Sequence, residues 1–192
     1  MTSPVTPLPG LNIAAARRDD LPAILALEHA GFGEDEQWSE RSWAGELLGE
    51  GRTVLLARAE QTVGVIALRT TGELADLHRL VVAPGHRRSG IGFALTCAGL
   101  EAVRHLGAQA VLLEVDYANE AAIALYQRVG FEQLTARQDY YGPGRHALIL
   151  KLYDLPGWPA RLAAQEREAE QERQEAERRP RPVAPDPEQE HA

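Results

Sequence analysis

One short run limits the possible folds more than any other part of the chain: Val82-Ala83-Pro84-Gly85-His86-Arg87-Arg88-Ser89-Gly90-Ile91-Gly92. Before it, residues 73–82 read as a β-strand. After it, Ile91, Ala94, Leu95, Ala98 and Ala102 recur at helical spacing until Gly107, where glycine can supply a left-handed cap. Residues 110–117 then read as a second strand. A strand, a helix and a strand in succession lay the two strands side by side in parallel. The rest of the sheet is antiparallel in pattern, because residues 53–59 and 62–70 form a hairpin around Glu60-Gln61 and lead directly into residues 73–82.

The flanking segments complete the layout. Residues 11–16 predict a strand, and Asp19 or Asp20 then caps a helix carrying Leu21, Ile24, Leu25 and Leu27. A second short helix follows Ser39. Asn119 is placed to cap a helix with Ala122, Leu125, Tyr126 and Val129 on one face and Gly130 at its end. Strands follow at residues 131–137 and 146–153. The predicted class is α/β (α+β), a mixed, mostly antiparallel sheet of about seven strands flanked by helices, in the order β-α-α-β-β-β-α-β-α-β-β.

Composition narrows the function classes. The chain has 192 residues and one cysteine, Cys97, so an internal disulfide and a cysteine-rich zinc site are both excluded, which fits a reducing, cytoplasmic setting. Cys97, between Thr96 and Ala98 on a helix, reads as a small buried hydrophobe. The six histidines are not paired at ligand spacing, and no metal is predicted. No run approaches the roughly 18–20 apolar residues of a membrane span. A formal net charge of −8 disfavours general nucleic-acid binding, which depends on clustered Lys and Arg, and suits a basic partner. Residues 1–10 hold four prolines and glycines and are expected to be flexible, with one domain at 11–153. Residues 154–192 carry ten acids against six arginines; they predict a charged helical or disordered tail in which Trp158 and Leu162 dock one turn and 180–187 are disordered.

Two stretches carry candidate chemistry. In the glycine turn, Gly90 and Gly92 remove side chains where a ligand would meet the backbone. The amides that open the next helix have no partners of their own, and Arg87 and Arg88 add positive charge. Such a turn suits a pyrophosphate, and equally a plain helix cap. It lacks the Gly-Lys-Ser/Thr ending of a Walker loop and the third glycine of a dinucleotide fingerprint. The second stretch is the apolar strand 111–115, which carries Glu114. A carboxylate there either faces water or has a task, since burial without a partner costs several kcal/mol. Tyr126 reads as a core aromatic, Asn119 as a helix cap, and Tyr140 and Tyr141 as loop aromatics packed on the sheet.

Arg87-Arg88-Ser89-Gly90-Ile91-Gly92 resembles the R/Q-x-x-G-x-G/A acetyl-CoA loop of the GNAT N-acetyltransferases. Leu113-Glu114-Val115, Asn119 through Tyr126 and Val129-Gly130-Phe131 resemble the second half of that family's cofactor site, over a region from about Asn12 to Leu152. Within the family, these segments, together with Tyr140-Tyr141 and Trp38-Ser39-Glu40, are similar to the bacterial RimI group of ribosomal-protein-alanine N-acetyltransferases. The resemblance implies acetyl-CoA as cosubstrate, no metal, and transfer of acetyl to a primary amine, the N-terminus of a protein. It makes Glu114 the base for the acceptor ammonium and Tyr126 the acid for the departing thiolate. It assigns Arg87, Arg88, Ser89, Gly90, Ile91 and Gly92 to the pyrophosphate, the backbone of Leu80, Val81 and Val82 together with Asn119 to the pantetheine arm, and Tyr140 and Tyr141 to the acceptor groove. One departure stands out: Arg145-His146 occupies the place where the RimI group carries an acidic pair before its last strand. A lysine side chain or small amine as acceptor, or an acyl-CoA-sensing module without turnover, are the alternatives; the presence of both Glu114 and Tyr126 argues against the last.

Overall fold

A computed structural model describes residues 8–178 of the chain; the expectations for residues 1–7 and 179–192, the proline-rich end included, lie outside the described residues. Within them the elements follow the predicted order. They are β1 (Asn12–Ala15), α1 (Leu21–Gly31), α2 (Glu40–Leu48), β2 (Arg52–Arg58), β3 (Thr62–Thr71), β4 (Leu74–Val82), α3 (Ile91–His105), β5 (Ala110–Asp116), α4 (Glu120–Val129), β6 (Glu132–Arg137), β7 (Ala147–Leu152) and α5 (Trp158–Arg178).

Local chemistry sets several boundaries. Ser39 caps α2 by accepting the Ser42 amide at 3.1 Å, and Asn119 caps α4 by accepting the Ala122 amide at 3.1 Å. Gly130 closes α4 in the left-handed region at φ 106°. Asp20 precedes α1 but makes no cap bond to it; its carboxylate accepts the Arg17 amide and pairs with Arg58 on β2, fastening β1 and β2 to the start of the helix.

The seven strands lie in the order β1-β2-β3-β4-β5-β7-β6. Among these strands only β4 and β5 are parallel, and β7 returns between β5 and β6. Two apolar layers sandwich the sheet. The larger packs α3 and α4 on one face through Leu95, Leu100, Val103 and Val129. The smaller holds Ile24 and Leu27 of α1 and Trp43 of α2 against Leu56, Val65 and Val81 on the other. The first turns of α5 belong to the larger layer: Leu155, Trp158 and Leu162 are buried in it, and the Trp158 indole donates to the Val129 carbonyl at 2.9 Å. Leu8 and Leu11 also pack on its margin.

The feature that positions the site is a bulge in β4. Leu68 of β3 pairs with Leu77 and Ala67 with Arg79, so His78 is the extra residue. Across the bulge the alternation changes phase. Ala75 and Leu77 belong to the larger layer, and so do Leu80 and Val82, while Val81 joins the smaller one. Past the bulge β4 also parts from β5: their pairing runs from Leu74↔Ala110 to Leu77↔Leu113 and ends there.

Candidate active site

The parting of β4 and β5 opens a cleft of about 1120 Å³, lined by residues from both strands, from the segment between α1 and α2, from α4 and from the β6–β7 loop. Residues 79–82 pair with β3 along one edge only. Leu80, Val81 and Val82 therefore present an unpaired strand edge to the cleft, where an extended amide-bearing ligand can pair as an added strand. The Val81 side chain points into the smaller layer, so only its backbone is available to a ligand.

The glycine turn stands at the end of that edge. Gly90 takes φ 86° as the cap of α3, and the first bond within the helix is Ala94 N–H to Gly90 O at 2.9 Å, which leaves the amides of Ile91, Gly92 and Phe93 without helical partners. At Gly92 a Cβ would come within 3.3 Å of Leu125 on α4 and 3.7 Å of Val82, so the missing side chain lets the helix start seat closely between the strand end and α4. The two arginines differ. Arg87 donates to the carbonyls of Val82 at 3.2 Å and Gly31 at 3.1 Å, tying the turn to the ends of β4 and α1. Arg88, at φ 64°, has no side-chain partner among the described residues. Ser89 donates its hydroxyl to His86 O at 2.6 Å, which tightens the turn. Arg87 is thus a fastening of the turn, while the Arg88 side chain is left unengaged among the described residues.

Glu114 is the first β5 residue beyond the last paired rung. Its carboxylate accepts from Arg137 of β6 at 2.7 Å and remains open to the cleft. Tyr140 stands near it, and the Glu114 carboxylate is the foremost reason its phenol holds its proton more firmly than usual. Tyr141 packs edge-on to Tyr140 at 4.9 Å and is pushed up to about 12, chiefly by burial. Tyr126, buried on α4 with its ring edge toward Phe131 at 5.7 Å, also lines the cleft, and burial raises its phenol well above the ordinary range. It therefore remains the neutral, proton-bearing form. Asn119 lines the cleft while its side-chain oxygen serves the α4 cap. Cys97 is buried away from this region and pushed up to about 12 by desolvation, so it is an inert thiol. Among the described residues no group of three or more metal-ligating side chains occurs.

Sequence reasoning missed one wall of the cleft. Glu28 of α1 is fully buried and ion-paired with Arg79 of β4; it also accepts the Trp38 amide at 2.8 Å and the Trp43 indole at 3.3 Å. Arg79 lies 3.5 Å over the Phe32 ring and donates to Glu36 O at 2.7 Å. One buried pair thus holds residues 32–38 against β4. The available signal was Glu28 itself, four residues after Ile24 on the apolar face of α1, where a carboxylate requires a buried partner. Arg145 bridges Glu36 at 2.5 Å and Asp116 at 2.6 Å across the mouth of the cleft. Asp116 is held below the usual carboxylate range, first by the Ala118 amide and then by Arg145. The charge of Arg145 is therefore balanced by two carboxylates.

A strand edge left open beyond a bulge thus leads to a side-chain-free helix start, with a carboxylate at the fork. Residues 16–131 match the Acetyltransferase (GNAT) family, and the chain belongs to it. It is an acetyl-CoA-dependent N-acetyltransferase. The chain is 31% identical over 133 residues to the [ribosomal protein bS18]-alanine N-acetyltransferase of Escherichia coli K12, covering 68% of this chain and 86% of that protein. The crystal structure of the Escherichia coli ribosomal-protein-S18-alanine N-acetyltransferase superposes with a TM-score of 0.69 at 28% identity, over 75% of this chain and 94% of that one. A mycothiol acetyltransferase of Thermobispora bispora is 38% identical over 109 residues, 57% of this chain and 36% of that protein. Among the described residues no helix is long and apolar enough to cross a membrane.

Proposed function

We propose that the chain acetylates the N-terminal α-amine of a protein, with Glu114 as general base and Tyr126 as general acid. The observation that carries this reading is that both groups line the cleft opened where β4 leaves β5. The pantetheine arm lies along Leu80, Val81 and Val82 and beside Asn119, and the turn from Arg87 to Gly92 takes the pyrophosphate. An ammonium has no lone pair, so Glu114 removes a proton from the acceptor, directly or through water. The freed amine attacks the thioester carbonyl; the C–N bond forms, the C–S bond breaks, and Tyr126 donates its proton to the departing thiolate. Tyr140 and Tyr141, beside Glu114, form the wall against which the acceptor backbone rests.

The similarity to the bS18-alanine N-acetyltransferase supports a protein N-terminus. A second reading, a small-molecule amine, draws on the similarity to a mycothiol acetyltransferase. Mass spectrometry of the protein with acetyl-CoA and a panel of N-terminal peptides, lysine peptides and small amines separates them. Acetylation of the α-amine peptides ahead of the others is expected; a preference for a lysine side chain or a small amine overturns the acceptor assignment.

A further inference from the structure

The chemistry of amide formation asks more of the site than one base. In R–NH3⁺ + CH3CO–S–CoA → R–NH–COCH3 + H–S–CoA + H⁺, the nitrogen sheds two protons. The first frees its lone pair; the second leaves the tetrahedral adduct as the C–S bond breaks. One proton ends on sulfur by way of Tyr126 and the other passes to solvent. Glu114 accounts for one removal.

His78 is placed for the other. The last paired rung of the fork is Leu77↔Leu113, so His78 and Glu114 are the first residues beyond it, one on each arm. Leu77 and Leu113 both point into the larger apolar layer, and the residues that follow them turn to the opposite face, where α1 and α2 lie. The bulge centred on His78 aims its ring at α2 rather than along the strand. There Nδ1 lies 3.0 Å from Glu46 Oε1, which also accepts from Arg52 at 2.7 Å, and the ring stands edge-on to Trp38 with centroids 6.5 Å apart. Glu46 is nearly buried, and its second oxygen, Oε2, is enclosed without any partner. A carboxylate kept in such a place and turned toward an imidazole nitrogen orients the ring. Arg52 Nη1 stands 2.9 Å from Nδ1 and 2.7 Å from the same Glu46 oxygen; its hydrogen goes to the carboxylate, the charged and stronger acceptor, which leaves Nδ1 to carry its own hydrogen toward Glu46. With Nδ1–H donating to Glu46, the lone pair resides on Nε2. Nε2 has no protein partner among the described residues and is not enclosed, and His78 lines the cleft.

We propose that His78 is a second catalytic base, which takes the remaining proton from the acceptor nitrogen onto Nε2 and releases it to solvent, and that Glu46 is the positioning residue that holds its ring. The assignment rests on the amine-acetylation reading and deepens it. Arg52 beside Glu46 balances the carboxylate, so the pair orients the imidazole without adding net charge to it.

The test uses the full chain with acetyl-CoA and the peptide and amine panel, comparing wild type, His78→Gln and His78→Gly. Expected for both variants is a fall in kcat of about 10²-fold with unchanged acetyl-CoA affinity by calorimetry, in line with loss of a general base. Added imidazole should restore a measurable part of the His78→Gly rate, which a merely structural histidine would not show. Wild-type kcat in His78→Gln, or a loss that imidazole leaves untouched in a folded His78→Gly, overturns the role of His78 alone. A wild-type protein that binds acetyl-CoA yet acetylates no amine in the panel overturns the amine-acetylation reading itself, and this assignment with it.

Discussion

The two halves of the cleft are built by different means. The cofactor half is mainly backbone: an unpaired strand edge at Leu80, Val81 and Val82, and a helix start from which Gly90 and Gly92 withhold side chains. The acceptor half is mainly side chains, brought from α1, α2, β4, β5 and the β6–β7 loop and locked by Glu28–Arg79, Glu46–His78 and the Arg145 bridge. A backbone site recognises what every acyl-CoA shares. A side-chain site can be rewritten one residue at a time, and here Glu36 and Asp116 are both paired to Arg145.

The largest expected effect attacks the backbone half. Gly92→Glu adds a carboxylate at the helix start proposed to take the pyrophosphate, on a Cβ already 3.3 Å from Leu125, so acetyl-CoA binding should be abolished. Calorimetry on the folded variant showing wild-type affinity would remove the cradle from the cofactor half. Next come the proton-transfer groups. Glu114→Gln keeps its size but cannot accept a proton, and turnover should fall by roughly 10²- to 10⁴-fold with acetyl-CoA affinity nearly unchanged. Tyr126→Phe should also slow turnover without unfolding the protein, because the ring still packs on Phe131. Steady-state kinetics beside thermal melts decides between these roles and plain packing.

Two changes of stability sharpen the contrast further. Ending the chain after Tyr153 deletes Leu155, Trp158 and Leu162 from the larger layer, and loss of the tryptophan alone is worth about 3–5 kcal/mol. We therefore propose that the functional unit extends through the first turns of α5, and a chain ending after Arg178 should melt well above one ending after Tyr153. Glu28→Gln leaves Arg79 without its counter-charge at the foot of the acceptor wall. The cost should be at most about 3–5 kcal/mol in urea denaturation, the range for a broken buried pair. Since the pair holds residues 32–38, acceptor KM should rise while acetyl-CoA affinity stays put. Equal damage to both would show that the halves are one mechanical unit.

Much of the fold was legible because its signals are local. The helix caps at Ser39 and Asn119, the left-handed glycines at 107 and 130 and the hairpin around Glu60-Gln61 all act within a few residues. Element order, and the single parallel pair, followed from them. The glycine turn was legible for the same reason, since its physics belongs to one strand end and one helix start. Its reading needed one change in detail: Arg87 is engaged by the Val82 and Gly31 carbonyls, and only tertiary contact could reveal that.

What the sequence determined alone is the elements of the sheet and its covering helices, their order, and a glycine turn between a strand and a helix, because propensity, capping and periodicity are settled over distances of a few residues. Only the tertiary structure decided that β7 returns between β5 and β6, that a bulge at His78 changes the phase of β4, and that β4 leaves β5 at Leu77. Glu28 meets Arg79 across 51 positions and Arg145 meets Glu36 across 109. No local pattern encodes such pairs; they form because a charge carried to the foot or the mouth of a closing cleft is stable only where an opposite charge arrives by another route.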